Sequence, residues 1–402
     1  MGNNKDRLLT KNYIFVCMSS FMISFAFYIL VPTLPFYLRD TFGTSQTMTG
    51  IVLSCYVVAV LSVRPLAGFV ADTFSRKGVY IISYIFFVGA FVGYFFITAS
   101  LIAFIFLRIF HGLSFGMLST TGNTLVIDVM PSSRRGEGLG YYGVVNNLAM
   151  AFGPMVGLFL VGSGDYFHLF LTSLLTGITG LLVAAAIKTV KKPLPQKGTL
   201  ILSSDRFFLK EGIRACVSFF LLAIPYGMTT SYVAIYASKS GLTQSTGLFF
   251  TIMAAGLITS RLHSGKQVDK GYITSTIRNG IAIALVAALL EASLSSVAAL
   301  SLTGGYVLYF LTAFLFGYGF GTIFPAYNTL FINLAPTSRR ATANATYLTG
   351  WDVGIGCGML IGGALAEYDY AYCYIFGAVL ILSSLIFFQK KVTPHFEKYR
   401  LR

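Results

Sequence analysis

The sequence predicts an all-α integral membrane protein: twelve transmembrane helices arranged as two pseudo-symmetric six-helix bundles. Three observations carry this prediction. Of the 402 residues, 55% are hydrophobic and only 11% are charged, against roughly 45–50% and 25% in an average soluble domain. Apolar stretches of about 20 residues, each enough to cross a hydrocarbon core of about 30 Å as a helix, recur from one end to the other. Finally, NTLVIDVMPSSRR at 123–135 returns as NTLFINLAPTSRR at 328–340, an offset of 205. A pattern repeated at that spacing implies a repeated structure.

Taken in order, the spans fall at about 13–38, 47–71, 78–99, 101–126, 137–162 and 167–187, then 211–238, 245–266, 272–292, 303–329, 341–364 and 370–389. Helices are expected throughout, because backbone in lipid must satisfy its own hydrogen bonds. The first span is long and lacks a small-residue cleavage site, so it reads as part of the mature chain. The sixth span is followed by the one long polar connection, 188–210, beginning KTVKKPLPQKG. Its lysines, prolines and glycine mark a linker between an N-terminal bundle (1–187) and a C-terminal bundle (211–402).

The net charge of +15 is distributed by topology. With the N-terminus inside, basic residues crowd the inner segments and both termini, whereas the outer loops hold only Arg39 and Lys239. Such a bias is the positive-inside pattern of a cytoplasmic (inner) membrane protein with both termini cytoplasmic, and it argues against nucleic acid as a partner. Cys17, Cys55, Cys216, Cys357 and Cys373 all fall in spans with no metal-ligand spacing, and read as free, buried thiols.

Span 2 ends with Arg64, Gly68 and Asp72, and span 8 with Arg261, Gly265 and Asp269. Residues four apart share a helix face, so each set is a stripe with a cation, a gap and an anion. With GFVADTFSRK at 68–77, two related halves and a central linker, the chain resembles the major facilitator superfamily over essentially its whole length. Gly68, Ala71, Asp72, Arg76 and Lys77 match the family's loop signature after span 2, while the copy after span 8 keeps Gly265, Asp269 and Lys270. The resemblance implies bundles that rock about a central cavity. It also implies two cytoplasmic latches, Asp72 meeting the segment that begins at Arg339 and Arg340, and Asp269 meeting the one that begins at Arg134 and Arg135. Alternatively, these arginines only anchor loops.

Charge inside a membrane is costly and marks functional candidates. Arg108 opens R-I-F-H-G in span 4, resembling a family signature linked to proton coupling, and His111 lies on the same face. Together they place a fixed cation beside a titratable ring, with a hydrogen-bonded structural histidine as the alternative. Asp352, near the middle of span 11, reads as a proton carrier or cation-binding group, or as a packing contact. In span 5, Gly140, Gly153, Pro154 and Gly157 follow the family's antiporter signature, with Ala149 and Leu158 replacing two glycines. Gly358 and Gly362 recur at the 205 offset without the proline. Tyr28, Asn146, Asn147, Tyr226 and Tyr347 are candidate cavity residues, each with a packing alternative.

These readings converge on a monomeric secondary transporter, driven by the proton gradient without a cofactor, that exports small amphipathic molecules by alternating access. An importer or uniporter of a sugar or other small metabolite is the alternative. A membrane-embedded enzyme or sensor is a remote one, since no catalytic motif or metal site is visible.

Overall fold

The computed structural model describes residues 7–131, 134–161, 166–188, 209–243, 247–336 and 339–401, and all regular secondary structure among them is helical. Helix α1 (Lys11–Leu30) starts where the Thr10 hydroxyl accepts the Tyr13 amide, one of the amides a helix start leaves without a partner. The expected span 13–38 is in fact two helices, because α1 stops at Leu30 and α2 covers Leu34–Phe42. Pro32 between them has no amide hydrogen to give, and its ring crowds the carbonyl one turn back. The Thr33 hydroxyl compensates, lying 3.1 and 3.0 Å from the carbonyls of Ile29 and Leu30. At Gly43 the chain turns left-handed (φ +62), and the Gly43 amide donates to the Arg39 carbonyl at 2.9 Å. A glycine pays no side-chain penalty in that conformation.

The chain continues through α3 (Gln46–Thr73), α4 (Arg76–Phe96), α5 (Leu101–Val129), α6 (Arg135–Val161) and α7 (Tyr166–Ala185). Ser75 and Ser100 cap α4 and α5. Beyond 209, a single tight turn leads into α8 (Ile213–Lys239), followed by α9 (Leu248–Asp269), α10 (Ile273–Ala292), the short α11 (Leu294–Leu300), α12 (Leu302–Asn333), α13 (Arg340–Ala366) and α14 (Tyr370–Phe387). A last helix, α15 (Thr393–Tyr399), is held to the start of α8 by His395: its Nε2 donates to the Glu211 carbonyl at 2.9 Å, and its Nδ1 accepts from Arg214 at 3.2 Å.

Among the described residues, 11 helices are long and apolar enough to cross a membrane. Helix α9 has the length, 22 residues, but its C-terminal half carries Arg261, His263, Lys266 and Asp269. Large apolar side chains such as Val58, Ile82, Phe106, Leu182, Leu289 and Val307 stay exposed. In water such a surface drives association; in a bilayer it is solvated by acyl chains. Cys17 and Cys373 are buried as expected, while Cys55, Cys216 and Cys357 are half-buried.

The chain forms two compact units, one of Met1–Tyr37 and Val58–Leu200, the other of Leu38–Val57 and Ile201–Arg402. In the first, α1 packs on α6 and α7, and α4 on α5 and α7. The second repeats each pairing: α8 packs on α13 and α14, and α10 on α12 and α14. Matching contacts fix the helix correspondences. Offsets of 199 relate α1 to α8, 197 relate α3 and α4 to α9 and α10, 205 relate α5 and α6 to α12 and α13, and 204 relate α7 to α14. Thus Gly116 of α5 abuts Val60 of α3, and Gly321 of α12 abuts Leu257 of α9. The buried stripe Tyr80, Tyr84, Phe87, Phe91, Tyr94 of α4 becomes Ile277, Ile281, Ala284, Ala288, Glu291 of α10.

Residues 38–57 cluster with the second unit through α13. A Cβ on Gly50 would stand 2.7 Å from the Met359 carbonyl oxygen, and the Ser54 hydroxyl lies 2.9 Å from the Gly356 carbonyl. Small residues permit helices to cross this closely.

Candidate functional site

In the first unit the candidate charges are assembled around a tyrosine. Helix α5 places Arg108 and His111 on one face, and both reach Tyr94 of α4. The Arg108 guanidinium donates to the Tyr94 hydroxyl at 3.2 Å, and that hydroxyl lies 2.9 Å from His111 Nδ1. A hydroxyl can accept from the arginine while donating to the imidazole, which leaves the ring proton on Nε2. The three side chains are buried. Phe87 and Phe91 wall the imidazole at centroid distances of 4.8 and 4.9 Å, and Phe170 stacks on Tyr94 at 5.3 Å. Sequence reasoning paired Arg108 with His111 but did not single out Tyr94.

A second polar group joins α1 to α6. Asn146 Oδ1 accepts from Ser24 at 3.1 Å and lies 2.9 Å from the Ser20 hydroxyl, which is also 2.9 Å from the hydroxyl of Tyr142. Asn146 is therefore held by α1. Tyr28 is half-buried on the same helix, directly against Gly153: a Cβ there would come within 2.6 Å of the Tyr28 Cβ. A Cβ on Gly157 would collide with the Ile29 carbonyl. Pro154 is buried between the two glycines. The glycines let α6 lie on α1, and Gly358 does the same for α13 against the Ile224 carbonyl of α8.

In the second unit Asp352 occupies the middle of α13, half-buried, with one carboxylate oxygen fully enclosed. Tyr347, on the same helix, is within electrostatic reach of both Asp352 and Arg261 of α9. Beside them is an aromatic cluster. The Trp351 ring lies 5.2 Å from Phe219, 4.7 Å from Tyr226 and 4.6 Å from Phe324, and Tyr347 stacks on Phe219 at 4.7 Å. Tyr226 is buried in this cluster, whereas Tyr347 is half-buried.

Of the latch residues, Arg64 within α3, Arg134 just before α6 and Arg339 just before α13 are half-buried. Arg76 makes an ion pair within its own unit: its Nη1 lies 2.7 Å from both oxygens of Asp128, tying the start of α4 to the end of α5. At Gly265 no described atom comes within 4 Å of an added Cβ. The side-chain surroundings of Gly68, Asp72, Arg135, Gly140, Asn147, Asp269 and Arg340 lie outside the described residues.

One buried acid escaped the sequence reading. Glu291, in the last turn of α10, is fully enclosed, and its Oε2 is 3.5 Å from the Thr229 hydroxyl of α8. Among the described residues, no group of three His, Cys, Asp or Glu side chains is placed to hold a metal ion.

The sequence profile of the Major Facilitator Superfamily matches residues 16–331 and 280–400. The chain is 21% identical to the staphylopine export protein of Staphylococcus aureus (strain Mu50), over 88% of this chain and 89% of that protein. To the quinolone resistance protein NorA of S. aureus (strain MRSA252) it is 25% identical, over 86% and 88%. The crystal structure of the nucleoside transporter NupG superposes with a TM-score of 0.71 at 17% identity, over 95% of this chain and all of that one.

Proposed function

The chain belongs to the Major Facilitator Superfamily and is a multi-pass membrane transporter, and from that premise we propose that it is a proton-coupled exporter of small amphipathic molecules. It works by alternating access in the cytoplasmic membrane, with both termini inside, as a monomer. The observation that carries the reading is the carboxyl of Asp352 at the midpoint of a spanning helix, with Tyr347 of the same helix within electrostatic reach of both Asp352 and Arg261. A carboxyl at that depth exchanges a proton at low cost only when the cavity around it opens to water. Export, rather than import, is supported by the likeness to the staphylopine and quinolone exporters. Arg108 and His111 are engaged by Tyr94 and buried, which suits a proton relay better than direct capture of an anionic solute.

The test is transport of an amphipathic dye cation, ethidium, by protein reconstituted in liposomes under an imposed pH gradient. Wild-type protein should concentrate the dye against its gradient, and Asp352→Asn should retain exchange at equilibrium while losing gradient-driven accumulation. Transport indifferent to the gradient would sink the proposal.

A further inference from the structure

Glu291 is the buried acid that the mechanism above leaves unused. It sits at the junction of four helices. Thr229 of α8 offers its carboxyl a single long hydrogen bond, and Oε1 has no hydrogen-bond partner among the described residues. The titratable groups facing it are Tyr236 from α8, Tyr309 from α12, and Cys373 and Tyr374 from α14. Among the described residues no cation acts on it, and it lies in the last turn of α10, where the helix dipole opposes an anion. A carboxylate here would be an unpaired buried charge. A carboxylic acid, which can donate its proton, fits the site.

The repeat supplies a second, independent argument. At the 197 offset Glu291 stands where the first unit has Tyr94, and the surrounding rings correspond as well. Tyr37, Phe104, Tyr166 and Phe170 cluster around Tyr94, and Tyr236, Tyr309, Tyr370 and Tyr374 take their places in the second unit. Arg108 and His111 are replaced by Ala313 and Phe316. The second unit has thus exchanged a shared hydroxyl with two basic partners for an acid with none, inside the same frame.

We propose that Glu291 is a second proton-binding site, loaded in the conformation seen here and emptied when α8 moves. The proposal rests on the proton-coupled reading of the transporter. In the loading step an O–H bond forms on the free Glu291 oxygen with a proton from the outer aqueous side; in the release step that bond breaks and the proton passes to inner water. Helix α8 is suited to the gating motion. Pro225 lies one turn before Thr229 and has no amide to donate within α8, so bending at Pro225 displaces the Thr229 hydroxyl that touches the acid.

The experiment measures the limiting accumulation ratio of ethidium in liposomes at a one-unit pH gradient with the membrane potential clamped. Each proton exchanged per dye multiplies that ratio by about ten. Glu291→Gln keeps the shape of the neutral acid and should lower the ratio about tenfold while leaving equilibrium exchange and thermal stability near wild type. Glu291→Asp, which keeps an acid, should preserve the ratio. Should the glutamine variant fail to fold, Glu291→Met serves as the non-titrating replacement. An unchanged ratio in the non-titrating variant overturns this proposal alone, as does a requirement for sodium at this site. Wild-type protein that ignores the pH gradient overturns the proton-coupled reading and this proposal with it.

Discussion

In the first unit Ser20, Tyr142 and Asn146 form a hydrogen-bonded triad between α1 and α6. At the same places in the second unit stand Phe219, Tyr347 and Trp351, which stack between α8 and α13. A similar exchange occurs where α4 starts and α5 ends. The Arg76–Asp128 ion pair of the first unit has Ile273 and Asn333 at its positions in the second, so both charges are absent together. There the Asn333 carbonyl instead accepts from the Leu401 amide at 2.9 Å, beside the docked α15. The two units therefore share a backbone frame set by close helix crossings, while polar groups were replaced as sets. Replacing one member alone strands its partner in a low-dielectric interior, which costs more than losing both.

This comparison is open to direct attack. The largest effect is expected at the shared frame: Gly157→Leu and Gly358→Leu each push a side chain into a carbonyl of the neighbouring helix. Each should cost about 3 kcal/mol or more, read as a fall in the thermal midpoint in detergent. A large loss in one unit and none in the other would break the claim of a common frame. Next comes Tyr94→Phe, which removes the hydroxyl between Arg108 and His111 and should cost about 2 kcal/mol. Tyr347→Phe, whose hydroxyl makes only a 3.5 Å contact with the Phe324 carbonyl, should cost well under half of that. The smallest effect belongs to the Arg76–Asp128 pair, partly exposed on both sides. A double-mutant cycle with Arg76→Gln and Asp128→Asn should give a coupling of about 0.5–1 kcal/mol, and the same cycle run at positions 273 and 333 should give none.

The fold was legible because apolar length and a repeated motif are both linear signals. What escaped was the internal break of the first span, since Pro32 sits inside an apolar run whose length alone suggests continuity. Within the site, Arg108, His111 and Asp352 were conspicuous as rare charges in apolar surroundings. Tyr94 was not: it is one of 24 tyrosines, and only packing shows which of them lies between α4 and α5. Glu291 was passed over because a carboxyl at the end of a span resembles an interfacial charge. Its enclosure depends on tyrosines from three other helices, Tyr236, Tyr309 and Tyr374, whose spacing along the chain follows no readable pattern. The latch stripes were readable as spacing, yet spacing could not show that Arg76 turns to Asp128 on its own unit.

Helix α11 bears on how this molecule came to be. The offset between the repeats rises only once along the chain, from 197 to 205, in the connection from α10 to α12 that contains α11. Every other adjustment is a loss of one or two residues, also in a connection. The ancestral duplication has since accepted changes of length between helices while the helices kept their register. Leu300 at the end of α11 is 90% exposed, so this appendage is where the chain has already tolerated growth, and where an inserted epitope or dye-labelling tag should leave both bundles intact.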